Sequence, residues 1–440
     1  MRPVADRVRA ALDELRREHR VPGLQAALLV DGGLHEVALG AVERAHQFPV
    51  GSVTKAFTAT LVLALAAAGE LRLDEPVAAE LPEAGGSAWG RVTPAQLLTH
   101  TAGIPDLDPD PARGPTLGGQ VRRLTGVELL GEPGALFSYS NTGYVLLGHL
   151  VEAVAGASWY GALAARVLRP LGIAGTLVPP SGPAPLLVPG HTVHPDTGEV
   201  APAGPTASRL DAPAGGLATS ARGLVTLASA YLDGAAASPL PAALRRRALW
   251  DAAVPVPEPM LADEWCLGWA RCRTASRRWW LGHDGESGGC AARLRFEPGS
   301  GTVVALVANA TSGGELWRSF LGRLRGELDL EVGEPGAVPA SGEPARPDRS
   351  LLGAYRAGDT RYAVVAAGTA MELEVSRMER GGERYALRPV ADRQYLALPE
   401  GAGPELGTPV QFFTHPDTGW RYLSFSGRLA RRLDGGGESC

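Results

Sequence analysis

The sequence predicts an α/β protein of the α+β type, in which an antiparallel sheet flanked by helices carries a helical subdomain and a small antiparallel β-barrel follows. Three observations support this prediction. A strand hairpin follows the first helix, long apolar helical runs occupy the middle of the chain, and short alternating strands separated by turn residues occupy its end. A length of 440 residues also favours two domains over one.

The chain begins with a helix, a hairpin and a second helix. Met1 to Arg20 alternates basic and acidic residues in a pattern typical of an amphipathic helix. Leu24 to Val30 and Leu34 to Leu39 flank the turn residues Asp31 to Gly33 and are predicted to form a β-hairpin. Ala56 to Ala68 is predicted to be a buried apolar helix, and its 13 residues are too few to cross a bilayer.

The next elements complete the predicted sheet and its helical subdomain. We expect the helical subdomain to run from about Ser52 to Ala230 and to include the apolar helix Tyr144 to Ala155. Strands Ala291 to Phe296 and Thr302 to Val307 alternate in hydrophobicity and are expected to join the first hairpin in one antiparallel sheet. Helix Gly314 to Leu328 then packs on this sheet, and the site lies between the sheet and the helical half.

A change of composition marks the end of the first domain. Residues 1–333 form the predicted catalytic domain, and residues 334–348 are rich in proline and glycine, as linkers are. Residues 349–440 show the short alternating strands of a small barrel. The predicted barrel strands are Arg361 to Val365, Met371 to Val375, Tyr385 to Arg388, Gln394 to Leu398, Val410 to Thr414 and Trp420 to Phe425.

Composition excludes several classes of function. Hydrophobic residues make up 45% of the chain and charged residues 20%, as in ordinary globular proteins. The net charge of -5 and the lack of a basic stripe argue against a nucleic-acid partner. Met1 to Arg20 has no apolar segment of the signal-peptide kind, so we expect a cytoplasmic protein with no membrane partner. Four cysteines without metal-like spacing are expected to be reduced thiols.

The single lysine is the first indication of chemistry. Lys55 is the only lysine among 42 lysine and arginine residues, and arginine cannot replace a lysine that must take up a proton. Ser52 precedes it by one helical turn, at the start of the apolar helix. A hydroxyl, an amine and the positive end of a helix dipole therefore meet, as in an activated nucleophile with its base. A Ser-x-x-Lys pattern also arises by chance, so the prediction needs further residues.

Two later segments provide the remaining parts of such a site. The sequence Tyr-Ser-Asn at 139–141 follows a turn rich in glycine and proline and precedes an apolar helix, so it is placed on a loop at a helix start. The sequence His-Asp-Gly at 283–285 precedes a glycine pair and two alternating strands, so it is placed at a strand edge lined by backbone donors.

These three motifs resemble those of the penicillin-binding protein and class C β-lactamase superfamily, in the same order and at similar spacings. His-Asp-Gly stands where lactamases have Lys-Thr-Gly. The segments at 98–105 and 214–221 match as well, so the resemblance covers about residues 20 to 310. It implies a catalytic domain with the fold shared by β-lactamases and DD-peptidases. The C-terminal strands and Leu352 to Tyr355 resemble the lipocalin-like domain that some members carry.

The resemblance implies roles for five residues. Ser52 attacks a carbonyl to form an acyl-enzyme, and Lys55 takes its proton. Tyr139 passes a proton to the leaving group, and Asn141 holds the substrate amide or Lys55. His283 has a role at the site, although not as the base, which Lys55 and Tyr139 already provide.

Four further residues are predicted to bind substrate. The oxyanion is expected to meet the backbone N–H of Ser52 and that of Glu286, which follows Gly285. At the chain end, Arg431 or Arg432 is predicted to pair with a carboxylate of the substrate or acceptor if the barrel closes over the cleft, because a guanidinium binds a carboxylate through two hydrogen bonds. The alternative is a basic cluster that only keeps the chain end solvated.

No metal or other cofactor is expected. His191 and His194 form a His-x-x-His pair, but a turn sequence at 195–198 explains this stretch and no third ligand is evident. No fingerprint of an organic cofactor is present.

The resemblance leaves three functions open. The family members most similar to this chain are stand-alone thioesterases of the penicillin-binding type, which release and cyclise nonribosomal peptides. Their substrate is a peptidyl thioester on a carrier protein, with a D-residue at the acyl end, and the peptide's own N-terminal amine is the acceptor. The second possibility is a cytoplasmic esterase, D-aminopeptidase or β-lactamase-like hydrolase in which water resolves the acyl-enzyme. The third is a non-catalytic acyl-peptide sensor, against which the intact Ser52, Lys55 and Tyr139 argue.

Overall fold

A computed structural model describes residues 4–112, 114–204, 208–235, 237–258, 261–336, 348–377, 380–400 and 407–433. These residues form a sheet with helices on both faces, followed by a closed β-barrel. The α+β fold predicted from the sequence is confirmed. Most of the predicted linker, residues 337–347, lies outside the described residues, as does Cys440.

The strands before the barrel form one large sheet and two small ones. In chain order they are β1 (Gly23–Val30), β2 (Gly33–Gly40), β3 (Phe48–Pro49), β4 (Gly175–Leu177), β5 (His191–Val193), β6 (Val200–Pro202), β7 (Leu217–Thr219), β8 (Val254–Pro255), β9 (Glu264–Trp265), β10 (Ala270–Arg273), β11 (Trp279–Ser287), β12 (Cys290–Glu297) and β13 (Thr302–Ala308). Within the described residues, the large sheet is antiparallel in the order β2-β1-β13-β12-β11-β10-β9-β8. Strand β7 lies between β3 and β4, and β5 pairs with β6.

The first hairpin forms where the sequence predicts it. Its turn residues Asp31 and Gly32 have φ values of 50° and 74°, the left-handed geometry of a tight hairpin turn. Strand β1 is buried on both faces: Leu24 and Leu28 face the core beneath the outer helices, whereas Ala27 faces the core of the helical half. Because successive side chains alternate between faces, an almost continuous apolar strand is the pattern expected of a sheet covered on both sides.

The helices are divided between the two faces of this sheet. In chain order they are α1 (Val4–Glu18), α2 (Thr54–Ala67), α3 (Pro94–Leu98), α4 (Leu117–Arg122), α5 (Asn141–Ala155), α6 (Trp159–Leu163), α7 (Arg169–Leu171), α8 (Ala212–Gly215), α9 (Ala221–Ser229), α10 (Ala242–Arg246) and α11 (Gly313–Leu328). Helices α1 and α11 pack on the outer face through residues such as Leu12 and Phe320. None of the helices in the described ranges combines the length and apolarity that crossing a membrane requires.

Helix α2 lies at the centre of the helical half. It is apolar around its whole circumference, as expected for a helix surrounded by protein. Its two interior threonines are satisfied, because Thr58 donates to the carbonyl oxygen of Pro213 and Thr60 to that of Ala56, both at 2.7 Å. The Thr58 hydrogen bond therefore joins helix α2 to helix α8.

The C-terminal strands close into an antiparallel barrel. Those in the described part of the chain are β14 (Gly353–Ala357), β15 (Thr360–Ala367), β16 (Ala370–Arg377), β17 (Arg380–Ala391), β18 (Gln394–Pro399), β19 (Thr408–Thr414), β20 (Arg421–Phe425) and β21 (Arg428–Arg432). In β16, Met371, Leu373 and Val375 are buried and the residues between them are half-buried, which is the alternation of a barrel wall. Strands β14 and β21 were not predicted, and their pairing closes the barrel.

Candidate active site

Ser52 lies on a tight turn beside the sheet. A single 3-10 turn, Gly51–Val53, joins strand β3 to helix α2. Gly51 has a φ of 50°, and a Cβ atom there would lie 2.6 Å from the backbone nitrogen of Glu286. The turn is therefore pressed against strand β11, and Ser52 remains partly exposed between two buried neighbours.

Lys55 is fully buried one helical turn after the serine. Its Nζ lies 3.2 Å from Oγ of Ser52, 2.7 Å from Oδ1 of Asn141 and 2.8 Å from the carbonyl oxygen of Ala214. The last two oxygens only accept hydrogen bonds, so they take the two hydrogens of a neutral amine. The remaining lone pair then faces the Ser52 hydroxyl, which is the arrangement a general base requires.

The surroundings of Lys55 favour that neutral form. Burial is the main influence and lowers the pKa of Lys55 to about 7. The carboxylates of Asp106 and Asp211 act in the opposite direction, and the guanidinium of Arg428 adds to the lowering. Near neutral pH, a substantial fraction of the molecules therefore has an unprotonated lysine beside the serine.

Tyr139 covers the lysine from the other side. Its ring centroid is 4.9 Å from Nζ of Lys55. Burial raises the pKa of Tyr139 well above its usual value, and the nearby Ser52 hydroxyl opposes this only in part. Tyr139 therefore keeps its proton at neutral pH, as a donor to a leaving group must.

Asn141 is the first residue of helix α5. The Oγ of Ser140 accepts from the backbone N–H of Gly143 at 3.0 Å and caps this helix. The carboxylate of Asp106 accepts from the backbone N–H groups of Asn141 and Thr142 at 2.5 and 3.1 Å, so it lies at the positive end of the helix dipole. The cap and the carboxylate together fix the direction in which the Asn141 amide reaches Lys55.

His283 is buried beside the same cluster. Its Nδ1 is 2.7 Å from the carbonyl oxygen of Asp284, so Nδ1 carries the proton, and Nε2 has no hydrogen-bond partner among the described residues. The ring packs edge-on to Trp265 at 5.4 Å. Burial, together with the nearby charge of Lys55, lowers the pKa of His283 to about 3. The imidazole is thus neutral at physiological pH. Its ring centroid lies 6.5 Å from that of Tyr139.

The backbone of strand β11 meets the serine turn. A Cβ atom on Gly285 would lie 2.8 Å from the backbone nitrogen of Ser52, so only glycine allows this approach. The Glu286 carboxylate instead pairs with Arg293 at 2.6 Å and is largely exposed. If Glu286 binds an oxyanion, it therefore does so through its backbone N–H, together with the backbone N–H of Ser52.

Arg431 and Arg432 are not brought together with these residues. Arg431 pairs with Glu128 at 2.5 Å and lies over the ring of Trp420. Arg432 donates to backbone carbonyl oxygens within the barrel, including that of Ser350 at 2.8 Å. Both belong to β21, where they pair with β14, and their side chains are engaged in closing the barrel and docking it.

The arginine that reaches the site is Arg428, three residues earlier in the same strand. Its Nε lies 2.8 Å from the carboxylate of Asp106, and its guanidinium lies 5.0 Å from the ring centroid of Tyr139. From the basic cluster at the chain end, the sequence analysis selected Arg431 and Arg432 and not Arg428. Only the position of the β20–β21 turn determines which arginine faces the catalytic domain.

Two other site residues had weak signals in the sequence. The carbonyl of Ala214, which accepts from Lys55, lies in a segment noted only for its family resemblance. Asp106 directly follows another such segment, but its part in capping helix α5 depends on a contact across 35 positions of the chain. Backbone acceptors and long-range carboxylates carry no local pattern.

A cleft runs from this site along the border with the barrel. Two adjoining cavities, of about 400 and 730 Å³, lie between the segment 106–130 and the barrel strands. Asn141 and Arg428 border the smaller cavity, and Asp108, Arg123 and Arg377 line both. Catalytic domain and barrel therefore both form the walls of this cleft, which borders the site at Asn141.

The remaining histidines and the cysteines have structural surroundings. Nδ1 of His191 lies 3.0 Å from the carbonyl oxygen of Asn309, and His194 caps the turn that follows it. No cluster of potential metal ligands occurs within the described ranges. The described cysteines, Cys266, Cys272 and Cys290, are buried free thiols, and burial raises the pKa of each to about 12.

Known proteins share this architecture. Penicillin-binding protein 4 of Amycolatopsis lactamdurans is 38% identical over 359 residues, which are 74% of this chain and 92% of that protein. The crystal structure of SurE is 35% identical, covers 98% of this chain and 99% of its own, and gives a TM-score of 0.83. A structure of SurE with D-Leu gives a TM-score of 0.81 over the same coverage.

A more distant relative matches a smaller share of the chain. A D-stereospecific amidohydrolase from Streptomyces sp. is 27% identical over 72% of this chain and 98% of its own, with a TM-score of 0.57. The β-lactamase family model matches residues 8–319. The chain therefore belongs to the β-lactamase family, within the superfamily of serine β-lactamases and penicillin-binding proteins.

Proposed function

We propose that this enzyme is a cytoplasmic peptidyl acyltransferase that takes a peptide from a thioester on a carrier protein and releases it as a macrocycle. The observation that supports this best is the barrel, which binds the backbone of Tyr139 and forms one wall of the cleft that Asn141 borders. Hydrolysis of a small ester or lactam does not require such a second wall. A peptide that cyclises requires a second wall, because it must be held folded so that its amine reaches its own acyl end.

The chemistry follows from the contacts of Ser52. Lys55 accepts the hydroxyl proton as the Ser52 oxygen attacks the thioester carbonyl, and the backbone N–H groups at Ser52 and Glu286 stabilise the oxyanion. When the intermediate collapses, the C–S bond breaks, and Tyr139 delivers a proton to the departing thiolate. Protonated Lys55 then returns its proton to Tyr139, so that both groups regain their starting states. The peptide amine attacks the Ser52 ester and loses a proton to Lys55. As this second intermediate collapses to the amide, the departing Ser52 oxygen takes a proton from Tyr139, which Lys55 replaces.

A D-residue at the acyl end agrees with the relatives. SurE, which resembles this chain over both domains, has a solved structure with D-Leu. The more distant amidohydrolase is described as D-stereospecific. We therefore propose that the acyl group attached to Ser52 belongs to a D-amino acid.

Product analysis tests the proposal. A linear peptidyl N-acetylcysteamine thioester with a D-residue at its acyl end should give a cyclic product that is lighter than the linear acid by one water. Ser52→Ala should give neither product above the background rate, and the L-residue epimer should react at least tenfold more slowly. Only linear acid from several such thioesters, with brisk turnover of simple esters, would contradict cyclisation.

Hydrolysis is the second candidate. The amidohydrolase and penicillin-binding protein 4 match 72% and 74% of this chain. The cluster of Ser52, Lys55 and Tyr139 needs only water to resolve its acyl-enzyme. In this alternative the protein is an esterase or D-aminopeptidase. An N-acetylated peptidyl thioester separates the two candidates, because blocking the amine stops cyclisation and leaves hydrolysis unchanged.

A further inference from the structure

The turn between β20 and β21 is the part of the barrel in contact with the Tyr139 loop. The backbone N–H of Tyr139 donates to the carbonyl oxygen of Gly427 at 2.9 Å, and the N–H of Leu429 donates to Oγ of Ser138 at 3.1 Å. Gly427 has a φ of 74°, and a Cβ atom there would lie 2.6 Å from the Leu261 side chain. The turn is thus fitted closely into the catalytic domain.

A buried carboxylate also binds this turn. Glu258, from the segment between β8 and β9, is 4% exposed. One of its oxygens accepts from the backbone N–H of Gly427 at 2.7 Å and from Oγ of Ser424 at 3.0 Å. Burial raises the pKa of Glu258 to about 7, which shows how unfavourable this position is for a charge. An apolar side chain would fill the same space without that cost, so the two hydrogen bonds are the property that distinguishes glutamate here.

We infer that Glu258 is a positioning residue for acyl transfer at Ser52, and that it acts by holding the β20–β21 turn in place. Glu258 forms no hydrogen bond with Ser52 or Lys55. It fixes Gly427, which binds the backbone of Tyr139, and the next residue, Arg428, which lies over the Tyr139 ring. The inference rests on Ser52 acylation, part of the proposed function, and is independent of whether amine or water completes the reaction.

The pH dependence of acylation reports the surroundings of Lys55 and does not depend on how much of the protein is folded. The charged groups that act on Lys55 are Asp106 and Asp211, which favour its protonated form, and Arg428, which disfavours it. If the turn loosens, Arg428 moves away while Asp106 stays at the start of helix α5. The pKa of Lys55 must then rise, and the pH profile of acylation must move to higher pH.

The experiment measures the burst of p-nitrophenol from an activated ester between pH 5.5 and 9.5, using the full-length protein. We expect Glu258→Ala to lower the burst rate about tenfold or more and to move its midpoint to higher pH. Glu258→Gln should keep the rate within about threefold of wild type, because its amide oxygen still accepts from Gly427. The matched control is Tyr422→Phe, which removes a different barrel-to-catalytic-domain hydrogen bond, to the carbonyl oxygen of Leu130 at 2.6 Å. It should leave the midpoint unchanged.

Two results would overturn the inference. One is a wild-type rate and midpoint in Glu258→Ala. The other is an equal loss of rate in Glu258→Ala and Tyr422→Phe with no movement of either midpoint, since Glu258 would then be only structural. If Glu258→Ala does not fold, Ser424→Ala keeps the carboxylate, loses one of its donors and should move the midpoint in the same direction. Failure of Ser52 acylation itself is detected separately, as a wild-type protein with no acyl adduct by mass spectrometry.

Discussion

Opposing influences act on the pKa of Lys55, and their balance determines whether Lys55 can act as a base at neutral pH. Burial removes the water that would solvate an ammonium, whereas Asp106 and Asp211 stabilise one. The oxygens of Asn141 and Ala214 fit either form, but only the neutral amine leaves a lone pair for Ser52. An arginine in this position would stay charged under the same conditions, which explains why lysine persists here in a chain that otherwise uses arginine.

Substitution of Lys55 tests this argument. We expect Lys55→Arg and Lys55→Met to lower kcat/KM for ester acylation by about 10²- to 10⁴-fold, the usual contribution of a general base. In the wild type, the acylation rate should rise with pH through a midpoint near 7, because the unprotonated fraction of Lys55 rises there. A wild-type rate that is flat between pH 5.5 and 8.5, or an active Lys55→Arg enzyme, would show that another group takes the proton.

Some residues of the site could be predicted from the sequence, and others could not. Ser52 and Lys55 are predictable because they lie one helical turn apart, and a local spacing determines their contact. Asp106, Glu258 and Arg428 are not predictable, since each reaches the site through contacts between segments far apart in the chain. The roles given to the predicted site residues remain predictions until variants are measured.

Two elements, helix α5 and strand β21, bring their ends together at the site. The apolar pattern predicted a helix from Tyr144, but α5 begins at Asn141, because Ser140 caps it and the motif forms its first turn. Strand β21 was missed because its sequence, Arg-Leu-Ala-Arg-Arg, has no apolar and polar alternation, and only pairing with β14 and β20 makes it a strand. The barrel strands with clear alternation were predicted and are confirmed.

Asp106, which lies at the N-terminus of α5, pairs with Arg428, the first residue of β21. Removing either charge should move the pH midpoint of acylation, in opposite directions for the two residues. Asp106 at the start of α5 stabilises protonated Lys55, and Arg428 at the start of β21 destabilises it. Asp106→Asn should therefore move the acylation midpoint to lower pH, and Arg428→Gln should move it to higher pH. Asp106→Asn should also cost about 1 kcal/mol of stability, since the start of α5 loses its charged acceptor.

Arg222→Gln, which breaks an exposed pair with Glu36, is a control for charge removal elsewhere. If the acylation midpoints of Asp106→Asn and Arg428→Gln move in the same direction, or do not move, then these two charges do not act on Lys55 as described.

In the whole molecule, the barrel is joined to the catalytic domain by one inserted turn and a set of ion pairs. Besides Arg428 with Asp106, these pairs join Arg431 to Glu128, Arg377 to Asp108 and Arg123 to Asp359. Each has one partner in the segment 106–128 and one in the barrel. The barrel should therefore separate from the segment 106–128 only when these ion pairs break.

Amide hydrogen exchange measures this opening directly. The Tyr139 and Leu429 amides both donate across the border between the domains, so one undocking event should expose both. Peptides covering residues 137–142 and 424–432 should exchange at rates that respond in parallel to any change in docking.

Partly exposed ion pairs contribute about 0.2–1 kcal/mol each and are screened over about 10 Å at 0.1 M salt. Raising the salt from 0.05 to 0.5 M should therefore speed exchange of both peptides several-fold, whereas a peptide from the buried helix α2 should not respond. Faster exchange in only one of the two peptides would show that the Tyr139 loop moves independently of the barrel.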